Sequence, residues 1–353
     1  MTLPVSVSNL APAPPMARGI ARIALVAFSS LGDGLLYLMM AHNLVLNGYR
    51  VTYYGSLAHQ LRKWLPALDL QPHPAFDTLD AVLADYDLVL MSPPQALRDT
   101  LTAERLADLK SKWLLLCLRA PQDWQHDLRA TLRACCSSEA YVEIAPLLGG
   151  SGAIRYRKFE SESVVDITLD FMRSKMALVQ TQRHVPIAPP EGCIHRRHAR
   201  RIILSPDSAN PEKKDWSPEG FIRLAVALEQ RGYAPVFVVA PARHDAWCAR
   251  IGGRFPVPRF DDLAELAAFI YESGALIAND SGNGHLASFL GVPVVTIYRK
   301  NNPQFHWRPD WGPGLVVGPW LTLHWGGRAY WRPFVRVSAI LAALETLTCP
   351  NKN

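Results

Sequence analysis

The sequence predicts an α/β protein of two Rossmann-like, doubly wound domains facing a central cleft. Three observations carry this. Short runs such as "RIALVAF" and "KWLLLCL" are apolar almost without interruption, as strands covered on both faces of a parallel sheet must be. Longer helical stretches separate them, the alternation that builds βαβ units. The alternation pauses in a Pro- and base-rich stretch, then restarts near residue 200.

Residues 22–28 ("RIALVAF") form a strand that runs into the small polar loop "SSLGDG". An apolar helix, "LLYLMMAHNLVLNG", follows and is closed by Gly48. "YRVTYYG" (49–55) reads as the second strand and "LAHQLRKWL" as a short helix. "YDLVLMS" (86–92) and "KWLLLCL" (112–118) are the third and fourth strands, and a helix is expected over about 160–180. "HVPIAPPEGCIHRRHAR" fits an interdomain linker. In the second half "RRIILSPDSA" (200–209) echoes the strand and serine-bearing loop of "ARIALVAFSS", too briefly to count as a repeat. Helix "SPEGFIRLAVALEQRG", strand "APVFVVA", and helices "RHDAWCARIG" and "DLAELAAFIYESG" come next. Strand "ALIAND", helix "GHLASFLG" and strand "VPVVTIY" complete the pattern, and a terminal helix covers 337–347. The expected boundaries are a disordered leader at 1–19, an acceptor-side domain at 20–183 and a linker at 184–199. A nucleotide-side domain follows at 200–335, then a helix and tail at 336–353. Doubly wound domains set their ligand loops at the carboxyl ends of the strands, here facing one cleft.

Composition narrows the function. The 353 residues are 49% hydrophobic, ample for two cores. A net charge of +6 favours anionic partners. The basic residues are scattered and no recognition motif is present, which argues against nucleic acid. Six cysteines (117, 135, 136, 193, 248 and 349) form no C-x-x-C pair and no zinc-like spacing. We therefore expect a reduced, cytoplasmic protein. The opening "MTLPVSVSNLAPAPPMARG" lacks a charged region followed by an apolar core, so it does not read as a secretory signal. No apolar run approaches the roughly 20 residues of a membrane span.

Three stretches can carry chemistry. "NDSGNGHLA" joins a strand to a helix and includes Asp280, Ser281, Gly282, Gly284 and His285. Such a loop offers free backbone N–H groups at the positive end of a helix, with glycines permitting close approach of a ligand. An isolated Asp-Ser-Gly is as readily a plain helix cap. "NPEKKDWSPEGF" sets Lys213 and Lys214 just before a helix that Ser217 caps and Pro218 opens. Cations are disfavoured there by ~0.3–1 kcal/mol each, so two lysines suggest a diphosphate; solvated loop lysines are the other reading. "FSSLGDGLL" ends the first strand without G-x-G-x-x-G spacing and without a Walker Lys, which argues against dinucleotide and P-loop readings. Its Asp33 is either a first-turn residue stabilised by the helix dipole or a carboxylate aimed into the cleft to take a proton.

In this order, "FSSLGDGLL", "KKDW" and "NDSGNGHLASFLGVPVV" resemble glycosyltransferase family nine, the ADP-heptose:lipopolysaccharide heptosyltransferases. The resemblance spans roughly residues 20 to 345 and is strongest over 200–300. It implies a GT-B fold and an inverting, metal-independent transfer with no cofactor, the nucleotide sugar being substrate. By that resemblance Asp33 would be the general base, Lys214 would hold the leaving diphosphate and Asp280 the donor sugar's hydroxyls. Ser281, Gly282 and His285 would contact phosphate or sugar. Lys213, Gly284 and the loop serines Ser205 and Ser208 complete the donor-side candidates. The acceptor side offers Ser30, Gly32, Arg62 and Lys63, together with "RYRK" (155–158). The tryptophan-rich stretch 305–334 holds an acyl chain or sugar, or else wraps the second domain back over the cleft.

Two turns depart from the family pattern. "PARHDAWC" lacks the glutamate expected to contact the nucleoside, and "RKNNPQFHW" replaces a Gly-Pro-Thr-type turn, leaving Arg299 and Lys300 as charge near the diphosphate or as solvated loop. Both lie where base and sugar would be read, so the reaction class is better specified than the donor. The expected partners are a nucleotide sugar and an anionic glycolipid at the cytoplasmic face of the inner membrane, with the protein soluble or peripheral. A nucleotide-sugar epimerase of similar fold and a non-catalytic nucleotide-sugar-binding relative stay open as alternatives.

Overall fold

The computed structural model describes residues 19–27, 30–91, 102–117, 127–148, 153–155 and 162–348. The expected leader at 1–19 lies outside them save for its last residue, as do positions 156–158 of "RYRK". The first half runs β1 (Arg22–Val26), α1 (Leu31–Leu46), β2 (Arg50–Tyr54), α2 (Ser56–His59), β3 (Asp69–Gln71), α3 (Leu79–Leu83) and β4 (Leu88–Met91). It continues through α4 (Ala103–Lys110), β5 (Trp113–Cys117), α5 (Leu128–Cys135), α6 (Ser138–Ile144), β6 (Ala153–Arg155) and α7 (Val164–Ser174). The second half runs β7 (His198–Ser205), α8 (Pro211–Lys214), α9 (Pro218–Glu229), β8 (Ala234–Phe237), α10 (His244–Ile251), α11 (Leu263–Tyr271) and β9 (Ser273–Asn279). Then come α12 (Gly282–Phe289), β10 (Val294–Ile297), β11 (Gly314–Val317), β12 (Leu323–Trp325), β13 (Arg328–Tyr330) and α13 (Val337–Thr348).

Each half builds its own parallel sheet. The first has order β3-β2-β1-β4-β5-β6, and the second β11-β10-β9-β7-β8. In both, the chain leaves its first strand in one direction and later returns to its other side. That makes a switch point between β1 and β4 and another between β7 and β9, where doubly wound sheets open a crevice. The loops leaving β1, β7 and β9 therefore hold the site.

Strand alternation explains the layers. Ile23 and Leu25 face one core while Ala24 and Val26 face another across the sheet. Likewise Ile203 joins the core shared by both halves, and Ile202 and Leu204 face the outer core with Phe221, Trp247 and Ile340. The shared core contains Leu25 and Leu38 of the first half with Leu276, Leu286 and Val294 of the second. α1 is apolar nearly all round and buried from Gly34 to Leu44, as a helix covered on every side must be.

The sequence left unread the helices α3 to α6 of the first half, the one-turn α8, the strand β11 and the shortest strands. β3, β6, β12 and β13 have three residues each, too few for a period-2 pattern to register. The helix expected over "LAHQLRKWL" stops at His59, and residues 60–64 continue as turns. Trp64 is buried there and Pro66 follows, ending any helical path. β7 starts at His198, inside the stretch expected as linker, and residues 184–197 before it form neither helix nor strand.

β9 lies close against β7 at Gly274. A Cβ built there would stand 1.9 Å from the carbonyl oxygen of Ala199, a backbone atom that cannot turn aside. Gly274→Ala is therefore expected to lower stability by about 1–3 kcal/mol, read as a reduced urea midpoint at unchanged m-value.

Candidate active site

A cavity of about 1010 Å³ opens between the two sheets. Its first-half wall is the start of α1: Ser30, Leu31, Gly32 and Asp33. Ser30 caps the helix, its hydroxyl accepting from the Asp33 amide and donating to the Asp33 carboxylate. Asp33 thus stands in the first turn, where the dipole favours a negative charge, and faces the cleft. Behind it Tyr53 donates to the Gly34 carbonyl at 3.1 Å. Burial, reinforced by the Asp33 carboxylate, raises the Tyr53 pKa and keeps it a neutral phenol.

The second-half wall is built from β9, α12 and the loops after β7. Asn279, buried at the end of β9, donates to the Pro206 carbonyl at 2.6 Å and accepts from the Trp216 amide at 3.1 Å. One side chain thereby locks three loops together. Asn283 donates to Ser205 at 3.0 Å, tying α12 to β7. Side chains of Ser30, Ser217 and Asp262 cap α1, α9 and α11, whereas α8 and α10 lack a side-chain cap as α12 does. Of these, α12 has a serine in the cap position, Ser281, whose buried hydroxyl has no partner among the described residues. The first amides of an uncapped helix are unpaired donors at the positive end of its dipole, suited to an anion.

Lys214 reaches this mouth and pairs with Asp280 at 2.9 Å. Its loop is held from behind by Arg332, which donates to the carbonyls of Asp215 at 2.6 Å, Pro211 at 3.3 Å and Glu212. Next to it Arg243 bridges Asp207 at 2.9 Å and Asp215 at 3.0 Å, and Ser208 donates to Asp215 at 2.5 Å. Burial lifts the Asp207 carboxyl above its ordinary range against the opposing pull of the Ala240 amide and Arg243. Beyond this network the cavity continues along Val238, Val239, Pro258, Phe260 and Leu266, an apolar floor edged by Arg259, Asp261 and Asp262.

His285 lines the same cavity but is buried, its Nδ1 without a partner among the described residues and its ring edge-on to Trp311. Burial pulls its pKa down to about 4; Asp280 and the backbone of Trp307 act upward and Lys214 downward. It is a neutral imidazole, and brings no positive charge to a phosphate.

Asp33, Lys214, Asp280, Ser281, Gly282, His285, Ser30, Gly32 and Ser208 thus share one cavity. The others do not. Lys213 is exposed and outside the lining, because the four-residue helix α8 carries only its last lysine inward. Gly284 is turned into the core, where a Cβ would touch Pro309, Ala278 and Val294. Ser205 is buried beneath the cavity as the acceptor for Asn283. Arg62 bonds the His59 carbonyl, and neither it nor Lys63 lines the cavity, since the helix expected to present them ends first. Arg299 and Lys300 are also outside the lining. The tryptophan-rich stretch divides its labour: Trp307 lines the cavity, Trp311 packs on His285, and Trp331 enters the outer core. The Asp207–Arg243 pair escaped the sequence reading, although an acid two residues beyond a strand end was a legible signal. Among the described residues no group of three His, Cys, Asp or Glu is arranged to hold a metal ion.

The depressed His285 pKa has a pH signature. The unfolded chain takes up the proton near pH 6.5, so the His285 contribution to stability is full above that pH and is lost as pH falls toward 4. The slope is at most about 1.4 kcal/mol per pH unit. His42 and His195 shift in the same direction, so His285→Gln is expected to flatten, without abolishing, the fall in urea midpoint between pH 7 and pH 4.5.

Comparison with known proteins places this geometry. Residues 151–313 match the model of glycosyltransferase family 9 (heptosyltransferase). A lipopolysaccharide core heptosyltransferase of Haemophilus influenzae, OpsX, is 28% identical over 116 residues, covering 30% of this chain and 31% of the relative. Lipopolysaccharide heptosyltransferase 3 of Escherichia coli K12 is 30% identical over 125 residues, covering 33% and 35%. The matched part spans about a third of each relative's length. Among solved structures, a family 9 glycosyl transferase from Veillonella parvula aligns with a TM-score of 0.64 at 19% identity, over 95% of this chain and 99% of that one. ADP-heptose lipopolysaccharide heptosyltransferase II of E. coli aligns at 0.59 and 14%, over 94% and 100%. The fold is therefore GT-B, and residues 151–313 are similar to the glycosyltransferase family 9 (heptosyltransferase) model.

Proposed function

We propose that the protein moves a sugar, a heptose by its similarities, from a nucleoside-diphosphate sugar to a lipopolysaccharide core or related glycolipid acceptor. One observation carries the reading: a carboxylate of the first half and an uncapped helix with a lysine of the second line a single cavity at the switch points of both sheets. An E. coli heptosyltransferase solved with ADP-2-deoxy-2-fluoro heptose has the same fold, with a TM-score of 0.57, which supports a nucleotide sugar as the ligand.

The chemistry is a direct displacement. Asp33 takes the proton of the acceptor hydroxyl as its oxygen bonds the anomeric carbon, and the carbon–phosphate oxygen bond breaks on the opposite side, inverting the centre. The nucleoside diphosphate leaves with the bonding pair, and its growing charge falls on the α12 amides and Lys214. Magnitudes favour a switch of partners. Lys214 is about a third exposed and Asp280 mostly buried, so their pair is held more firmly than an open surface bridge, but a diphosphate offers the lysine a larger charge and charge-assisted bonds worth about 1.5–3 kcal/mol each. Donor binding therefore draws Lys214 from Asp280 and releases the carboxylate to accept from sugar hydroxyls. The apolar floor of Val238, Phe260 and Leu266 suits a nucleoside base. Lysine and helix amides take the part that a metal ion plays in other transferases, so the reaction is proposed as metal-independent. The acceptor is proposed to be anionic and membrane-borne, met by a peripheral, cytoplasmic protein; among the described residues no helix is long and apolar enough to cross a membrane.

Purified protein incubated with nucleoside-diphosphate heptoses and a Kdo-bearing lipid A acceptor is expected to release nucleoside diphosphate only when both are present. Asp33→Asn is expected to lower the rate by about 10²–10⁴ while the donor-induced thermal shift persists. Lys214→Ala is expected to weaken nucleoside diphosphate binding by about tenfold or more. Product formed from donor alone would point to epimerisation, and donor binding without turnover on any acceptor to a binding protein.

A further inference from the structure

We propose that the β12–β13 hairpin is a membrane-docking element that inserts its aromatic face into the interface of an anionic lipid bilayer. The hairpin is a two-stranded ribbon hydrogen-bonded to neither large sheet. Gly326 and Gly327 make its turn, both with positive φ (55° and 74°), the geometry that lets two residues reverse a twisted ribbon. Register sets Leu323 opposite Tyr330 and Trp325 opposite Arg328. Residues two apart on a strand and directly paired across it share a face, so Leu323, Trp325, Arg328 and Tyr330 stand together. His324 and Ala329 take the other side.

That face is bare. Trp325 is 80% exposed, Leu323 50% and Tyr330 47%; neighbouring Trp320, at 56%, lies beneath the Arg336 guanidinium at 4.8 Å. An isolated two-stranded ribbon is marginally stable in water, so this one awaits an external surface to cover it. Its composition says which. Tryptophan and tyrosine with an apolar body and a polar edge, flanked by arginine, are the side chains that settle at the headgroup boundary of a bilayer.

The charge agrees. From residue 281 to residue 344 the chain has six Lys and Arg residues and one acid, Asp310. Of these, Arg328 stands on the hairpin face and Arg336 over Trp320. Basic residues near an anionic leaflet each add to the attraction, and stable docking of a peripheral protein needs the apolar and the electrostatic signal together. The hairpin also connects to the cleft. It runs directly into Trp331, fixed in the outer core, and Arg332, which braces the loop of Lys214. A lipid-seated hairpin thus brings the donor-side wall close to the membrane plane. The inference rests on the reading that the acceptor is membrane-borne, but not on which sugar is moved.

The test uses the full chain without donor or acceptor. Co-sedimentation with vesicles of phosphatidylcholine alone, and of phosphatidylcholine with about a third phosphatidylglycerol, is measured at low and moderate salt. Wild type is expected to bind the anionic vesicles, more weakly as salt rises, with a blue shift of tryptophan emission. The double variant Trp325→Ala, Arg328→Glu is expected to bind them about tenfold more weakly or worse, with its melting temperature and its thermal shift by ADP unchanged. Vesicle binding equal in wild type and variant, or no binding by wild type, would overturn the proposal. So would a wild-type dimer in sedimentation that the variant abolishes, which would make the face a contact between copies. Transfer to a deacylated, soluble acceptor separates the two readings: the variant retains it if only docking is lost, whereas vesicle binding without any transfer removes the enzymatic reading and leaves the docking surface.

Discussion

The contact on which the rest depends is the meeting of two helix starts, one from each half. Gly32 of α1 lies over His285 of α12, where an added Cβ would stand 3.4 Å from the imidazole. Gly282 of α12 lies over Leu31 of α1, where it would stand 3.1 Å from the leucine Cβ. Two glycines thus allow two helical termini to approach until each backbone rests on the other's side chain. An alanine at Gly32 would fill this space at ordinary contact, while one at Gly282 would press on Leu31, so it is at Gly282 that a side chain would crowd the acid of one wall against the amides of the other. The core beneath runs unbroken through both sheets and fixes that approach.

Around this contact the electrostatics are arranged by what is left unsatisfied. Most helices in the described residues spend a serine, threonine or aspartate on their own first amides, while Ser281 leaves those of α12 without a side-chain cap. Among the described residues Lys214 pairs with the neighbouring Asp280 carboxylate, the partner that the proposed diphosphate would replace. His285 is held neutral by burial, so positive charge at the mouth comes from Lys214 and the helix end. Charge, amide and carboxylate are therefore distributed as the proposed nucleoside diphosphate would require.

Much of this was readable residue by residue. The apolar strands around "RIALVAF" and "ALIAND", the serine cap before Pro218, and the aspartates after two strand ends follow from local pattern alone, because burial on both faces and capping leave a signature within a few residues. What was not readable has a common cause. Gly284 and Gly282 are two residues apart and look alike, yet one faces the core and the other the cleft. Lys213 and Lys214 are adjacent, and only a single helical turn decides which enters. Arg62 depended on a helix that Trp64 and Pro66 cut short.

By itself the sequence determined two parallel α/β layers, a positively charged chain and a set of strand-end loops bearing an acid, a lysine and glycines, since these depend on local periodicity and composition. Only the tertiary structure decided which of those groups converge. Convergence requires the two switch points to face each other, and the packing of α1 against α12, residues 250 positions apart in the chain, is what turns them together.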